Sequence, residues 1–292
     1  MGKLEKVGVV GLGIIGSRVA ERLRQTQRSV FVWSRSPKAE PNFLGSPSEL
    51  ARSADGIQIF VTDGQALLEV VETMLPQLKR KHVVMNHSTV DPASTRNAAA
   101  LIEETGATFL DAPFTGSKQA AEDGNLVYYI GGEKAALDRA RPILQVSSKE
   151  ILHLGAVGDA TVLKIATNMI SGTTVQVLSE ALAITREQGI EGGKLMEALS
   201  ANACCSDLVR MKLPTMLKEE FEAHFSLRNM FKDAQLALEM ANQGKIELPA
   251  LSTSASMMFK QMQAGRGEDD YSALAANYPA TSSESTDSDG SP

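Results

Sequence analysis

The chain has 292 residues, 43% of them hydrophobic and 22% charged, the composition of an ordinary globular protein with room for one large or two medium domains. Half of its formal net charge of −6 comes from the last fourteen residues, where Glu284, Asp287 and Asp289 stand with no base, so the body gives no electrostatic case for nucleic acid or an anionic membrane as partner. No apolar run reaches the length of a membrane span, the two cysteines, Cys204 and Cys205, are adjacent, and the four histidines show no HxxxH or HExxH spacing; a cytoplasmic protein with reduced thiols and no metal site is expected.

The first strand-like run, residues 7–10, ends in "GLGIIG", and an amphipathic helix over 14–24 follows. A bare GxGxxG also punctuates ordinary turns. Between a strand and a helix it becomes a dinucleotide loop: Gly11 allows the tight turn, Gly13 lets backbone approach a pyrophosphate, and Gly16 lets helix and strand pack closely. The loop Gly11, Leu12, Gly13, Ile14 and Ile15 then offers phosphates the free N–H groups of a helix start. The second strand, 30–33, is followed by Ser34, Arg35 and Ser36, with no acid before Glu40. Selection of NAD calls for an acid there, whereas a guanidinium and two hydroxyls suit a 2′-phosphate. NADP(H) is the cofactor expected; an Arg35 that simply faces solvent is the other reading.

Strand-like runs recur at 57–61, 83–86, 109–111, 127–130 and 151–154, with helical patterns at 65–78, 93–104 and 135–146 between most of them. This alternation predicts an α/β fold, a Rossmann-type, largely parallel, doubly wound sheet. "NHSTVDP" and "DAPFTGSKQAAEDG" stand where the strands at 83 and 109 end, the side of open α/β sheets that binds ligands. Each alone also reads as a turn rich in Ser and Thr, and His87 in the first has two readings, a residue near a site or, more commonly for a loop histidine, a solvated one.

After about residue 158 the strand signals stop. One helix runs from 156 to about 189, then others at 193–202, 227–242 and 249–264. The organisation expected is a nucleotide-binding domain over 1–157, an all-α substrate and oligomerisation domain over 158–278 joined by the long helix, and a disordered Ser/Thr/Asp-rich tail over 279–292. On the long helix Ala160, Thr161, Lys164, Asn168 and Ser171 share one face, opposite Val162, Ala166, Met169, Ile170 and Val177. Lys164 is the one cation between residues 155 and 172. Its stem could snorkel to the surface. Alternatively it serves chemistry: hydride transfer to a carbonyl leaves charge on oxygen, which needs a proton donor in reach, and a lysine withdrawn from water titrates nearer neutrality.

Together the motifs resemble the β-hydroxyacid dehydrogenase (3-hydroxyisobutyrate dehydrogenase-like) family, and within it the glyoxylate/succinic semialdehyde reductase branch. "GLGIIGS" resembles its GLGxMG loop, with Ile15 for methionine; "WSRS" its signature of NADP users; "STVDP" its motif at Ser88, Thr89 and Val90; "APFTGSKQAAEDG" its APVSGSKxPAEDG. Gly155, Gly158, Lys164 and Asn168 match GxxGxxxxxKxxxN, and "FKDAQLAL" the C-terminal KDxxLA segment. The resemblance implies that Lys164 is catalytic, that Ser88, Thr115, Gly116, Ser117 and Asn168 bind the substrate and its carboxylate, and that Thr62, Asp63, Thr89 and Lys232 join the glycine loop and Ser34–Ser36 in holding cofactor. It implies a small carboxylate-bearing substrate, a homodimer or homotetramer, and NADPH-dependent reduction of short aldehyde or keto acids, or the reverse 3-hydroxyacid oxidation. "ANACCSD" stands where related reductases read "SNPMF", which leaves the substrate's identity open. Imine reductases on this fold carry Asp or Tyr at the lysine position, and a non-catalytic cofactor-bound scaffold would have lost it; Lys164 argues against both.

Overall fold

A computed structural model describes residues 4–279. Its sheet begins with β1 (Lys6–Val10), flanked by β2 (Ser29–Trp33) and β3 (Gly56–Ile59), and continues through β4 (Val83–Asn86) and β5 (Thr108–Asp111), all in parallel register. Strands of this kind are covered on both sides, so they read as apolar runs rather than alternating ones. Val7 and Val9 of β1, with Val83 and Met85 of β4, face one core together with Leu23 of α1 (Ile14–Arg24) and Leu137 of α6 (Lys134–Leu144). Val10, Ile57, Ile59 and Val84 face the other, with Leu50 of α2 (Pro47–Ser53), Leu67 of α3 (Gly64–Met74) and Ile102 of α4 (Pro92–Glu103). The period-2 alternation of a strand divides the two cores.

Beyond β5 the sheet departs from the parallel expectation. The segment read as a loop contains β6 (Phe114–Thr115) and the short helix α5 (Lys118–Asp123), and β7 (Leu126–Gly131) runs antiparallel to both β5 and β6. A parallel return needs a crossover of a dozen or more residues; the ten residues 116–125 between β6 and β7 fall short of that. The sheet of eight strands is therefore mixed, ordered β2-β1-β3-β4-β5-β7-β6, with β8 (Ser148–Gly155) parallel to β7.

The remaining helices are α7 (Asp159–Glu187), α8 (Gly192–Ser200), α9 (Asp207–Lys218), α10 (Leu227–Gln243) and α11 (Pro249–Gln263). By contacts the chain divides into two compact units between Thr167 and Asn168, within α7. In the second unit Gly172 brings α7 close to its neighbours, since an added Cβ would lie 2.8 Å from the Met258 terminal methyl and 3.0 Å from the Met230 sulfur. α9 has no counterpart in the sequence reading because Pro214 interrupts its pattern; it holds through Ser206, whose hydroxyl caps the Val209 N–H at 3.4 Å. Among the described residues no helix is long and apolar enough to cross a membrane. The tail expected at 279–292 lies, apart from Pro279, outside the described residues.

Candidate active site

The ends of β2, β1, β3, β4 and β5 sit side by side, in the register Trp33, Val10, Ile59, Asn86 and Asp111. Residues 11–15, 34–36, 61–63, 87–89 and 112–117 therefore leave adjacent points along one edge. Hydrogen bonding of the strands, not sequence proximity, gathers the predicted positions of the first unit.

Gly11 has φ +92°, and a side chain there would collide with the Phe60 carbonyl oxygen; one at Gly16 would collide with the Gly11 carbonyl oxygen. Both close approaches require glycine. Gly13, in contrast, faces open space, with nothing within 4 Å of an added Cβ. It is the N-cap of α1, yet no side chain caps that terminus and no acid stands in its first turn. An uncapped helix start beside a bare glycine is what a dinucleotide's phosphates require, so these residues fit a nicotinamide dinucleotide. Lys38, which the sequence reading passed over, reaches back to the Leu12 carbonyl oxygen and places a cation at the glycine loop.

Arg35 and Ser36 are exposed and Ser34 is half-buried, its hydroxyl donating to the Ser36 carbonyl oxygen at 2.7 Å. The first acid downstream, Glu40, is held away by Arg24 of α1 at 2.8 Å. Thr62 donates to Asp63 at 2.9 Å, and Asp63 caps α3 by accepting the Ala66 N–H at 2.9 Å. Ser88 is buried, its hydroxyl accepting the Val61 N–H at 2.8 Å and so tying the exit of β4 to that of β3; Thr89 beside it is half-buried. Thr115 lies on β6, Gly116 takes φ +136°, and Ser117 caps α5 by accepting the Ala120 N–H at 3.2 Å.

His87 is not solvated. Its N–H donates to the Ile59 carbonyl oxygen at 2.9 Å, which carries the β4 pleat one residue further and turns the ring inward. There it stacks on Phe60 with centroids 4.6 Å apart, and its nitrogens bond the Ala112 carbonyl at 2.7 Å and the Gln58 amide at 2.9 Å. Burial lowers its pKa to about 4, outweighing the Ala112 carbonyl, which raises it. Because the unfolded chain takes up this proton near pH 6.5 and the folded one resists it, His87 contributes stability that is complete above pH 6.5 and lost as pH falls towards 4, up to about 3 kcal/mol. Urea unfolding at pH 6.5 and 4.5 should show a shallower loss for His87→Gln than for the parent chain; equal losses would refute this account.

Lys164 and Asn168 are both buried on α7, each only 8% exposed. The surface-snorkelling reading of Lys164 is set aside on that observation. Asp111, at the end of β5 and fully buried, accepts the N–H groups of Gly158 and Thr161 and the Thr161 hydroxyl. Burial raises its pKa, against the lowering pull of those hydrogen bonds. In the second unit the Asn168 amide donates to Asp233 Oδ2 at 2.6 Å, while Lys232 Nζ lies 2.9 Å from Asp233 Oδ1. The sequence reading named Asn168 and Lys232 but gave no role to Asp233, the buried carboxylate that links them.

Residues 6–155 match the family model described as the NAD binding domain of 6-phosphogluconate dehydrogenase, and residues 158–278 the one described as NAD-binding of NADP-dependent 3-hydroxyisobutyrate dehydrogenase. The chain belongs to the β-hydroxyacid dehydrogenase family. As a member it is a nicotinamide-dependent oxidoreductase acting on CH–OH groups. Among its relatives, chloroplastic glyoxylate/succinic semialdehyde reductase 2 of Arabidopsis thaliana is 29% identical over 288 residues, 95% of this chain and 80% of that one. The 2-hydroxy-3-oxopropionate reductase of Escherichia coli is 28% identical over 279 residues, 92% of this chain and 95% of that one. The fold of this dehydrogenase is shared with 3-hydroxyisobutyrate dehydrogenase of Mycobacterium tuberculosis, solved with L-serine, at a TM-score of 0.87 and 22% identity over 94% of this chain and 99% of that one.

Proposed function

We propose that this dehydrogenase is an NADPH-dependent reductase of short aldehyde or keto acids, of the glyoxylate, succinic semialdehyde and tartronate semialdehyde type, with the reverse 3-hydroxyacid oxidation at the same site. The observation that carries the reading is Lys164, a cation held almost wholly out of water one helical turn from Asn168. The cofactor, when bound, supplies the hydride that reaches the carbonyl carbon. Lys164 Nζ gives its proton to the oxygen as negative charge develops there, and takes one back in the oxidative direction. Thr115, the Gly116 backbone and Ser117 bind the carboxylate, with Ser88 nearby on the same sheet edge. Asn168 bonds the reacting oxygen or the lysine, and Thr89 and Lys232 contact cofactor. A reducing cytoplasmic setting suits Cys204 and Cys205, both free thiols. The test is a spectrophotometric screen of NADPH consumption against C2 to C5 aldehyde and keto acids, with cyclic imines alongside. Turnover of imines alone, or of nothing in the panel, would refute the reading.

The preference for NADPH is supported by exposed Arg35 beside Ser34 and Ser36 and by Glu40 turned aside onto Arg24. Arg35→Ala should raise the apparent KM for NADPH by an amount on the order of 1.5–3 kcal/mol, roughly ten- to a hundredfold, with little change for NADH. Equal losses with both cofactors would place Arg35 elsewhere.

A homodimer or homotetramer built on α7 belongs to the same proposal. Leu163, Ile170, Val177 and Ile184 are exposed at intervals of seven residues, the spacing that keeps one apolar seam facing a partner helix. A twofold axis at Thr173 and Thr174 would set Leu163 against Ile184 and Ile170 against Val177 of a second copy, a self-complementary match. Light scattering should report a dimer or tetramer and a smaller species for the double variant Ile170→Asp, Val177→Asp. A monomeric parent chain at micromolar concentration would end this part of the proposal.

A further inference from the structure

The first turn of α7 is held by a residue far back in the chain. Asp111 Oδ2 accepts the backbone N–H of Gly158 at 3.0 Å and of Thr161 at 2.9 Å, and Oδ1 accepts the Thr161 hydroxyl at 2.7 Å. These donors include helix-start N–H groups that lack partners within the helix itself. The neighbourhood is built around the clamp. Gly131, opposite Asp111 on β7, has no room for a side chain against the Ala156 carbonyl oxygen, and the Gly132 N–H donates to the Gly155 carbonyl at 2.9 Å. Thr95 of α4 brings its hydroxyl within 3.4 Å of that of Thr161. Three bonds to two oxygens of one fully buried carboxylate fix the rotation of the helix as well as its place along its axis. Lys164 follows Thr161 by three residues, on the same face.

We infer that Asp111 is a positioning residue for Lys164: it locks the rotation of α7 to the end of β5, and with it the direction in which Lys164 leaves the helix. The inference rests on the proton-donor reading of Lys164. A general acid displaced by about 1 Å loses rate on the order of a hundredfold, while the glycine loop that receives the phosphates is a separate element. The effect of weakening the clamp therefore falls on kcat and spares cofactor affinity.

The experiment compares Asp111→Asn, Thr161→Val and Thr161→Ser in kcat on the best substrate of the panel, NADPH Kd by fluorescence titration, and Tm. Asp111→Asn keeps the shape but turns a donor toward donors, and should lower kcat about 10- to 100-fold with NADPH Kd changed by no more than about threefold. Thr161→Val should lose several-fold, and Thr161→Ser, which keeps the hydroxyl, should recover most of that loss. A purely structural role would lower Tm and the folded fraction but leave kcat per NADPH-binding site unchanged, and would overturn the inference. So would equal activities of the Val and Ser variants, which decide the matter alone if Asp111→Asn does not fold. If Lys164→Ala itself retains kcat, the proton-donor reading fails. If Lys164→Ala loses kcat while the clamp variants keep it, only the positioning role fails.

Discussion

Lys164→Ala should lose about 10²–10⁴ in kcat, the usual cost of removing a positioned general acid, while its affinity for NADPH stays close to that of the parent chain. The separation follows from where the groups lie. The glycine loop opens α1 directly after β1, whereas Lys164 stands on the second turn of α7. Lys164→Arg should fare little better, since a guanidinium keeps its proton near neutral pH and cannot cycle it. The deciding measurement is kcat together with NADPH affinity for both variants, with Tm recorded to confirm folding. Near-normal kcat in Lys164→Ala, or loss of activity only through unfolding, would remove the lysine from the chemistry.

The second large effect concerns stability. Lys212 of α9 and Asp270 form an ion pair at 2.6 Å with both side chains 3% exposed, and the ammonium sits 4.3 Å from the Tyr271 ring centroid. Asp270 also accepts the N–H groups of His224, Phe225 and Ser272. Burial alone would raise its pKa, but Lys212 and the backbone donors outweigh that and hold it below the usual carboxylate range. Lys212→Met would leave this carboxylate buried without its cation, at a cost of about 3–5 kcal/mol, and should lower Tm by roughly 10 °C. A change in Tm of less than about 2 °C would show that the backbone donors alone support the charge.

Several site features are written locally in the chain. The glycine loop is legible because its three glycines stand at fixed spacing between β1 and α1, which announce themselves by period, although the Phe60 carbonyl that requires Gly11 lies far along the chain. The absence of an acid after β2 is equally plain, and the polar face shared by Lys164 and Asn168 follows from the helical repeat alone. The core strands could be named for the same reason: sheets covered on both faces leave continuous apolar runs in the sequence.

What the sequence did not disclose depends on partners remote in the chain. β7 returns antiparallel to β6 because the ten residues between them, which hold α5, are too few for a parallel crossover, and β6 itself is only two residues long. His87 looks like a loop residue until the Ile59 carbonyl extends the strand beneath it and Phe60 covers its ring. Pro214 hides α9, whose Lys212 meets Asp270 58 residues away, and Asp111 reads as the last residue of an ordinary strand until Thr161 arrives 50 residues later. Periodicity and motif record what a residue does to its near neighbours, so they determined the parallel strands, the long helices, the nucleotide loop and the lysine's face. The charge pairing, inward turning and clamping of buried polar groups were decided only by tertiary structure, because a desolvated polar group must find its partner in space and no local pattern says where that partner lies.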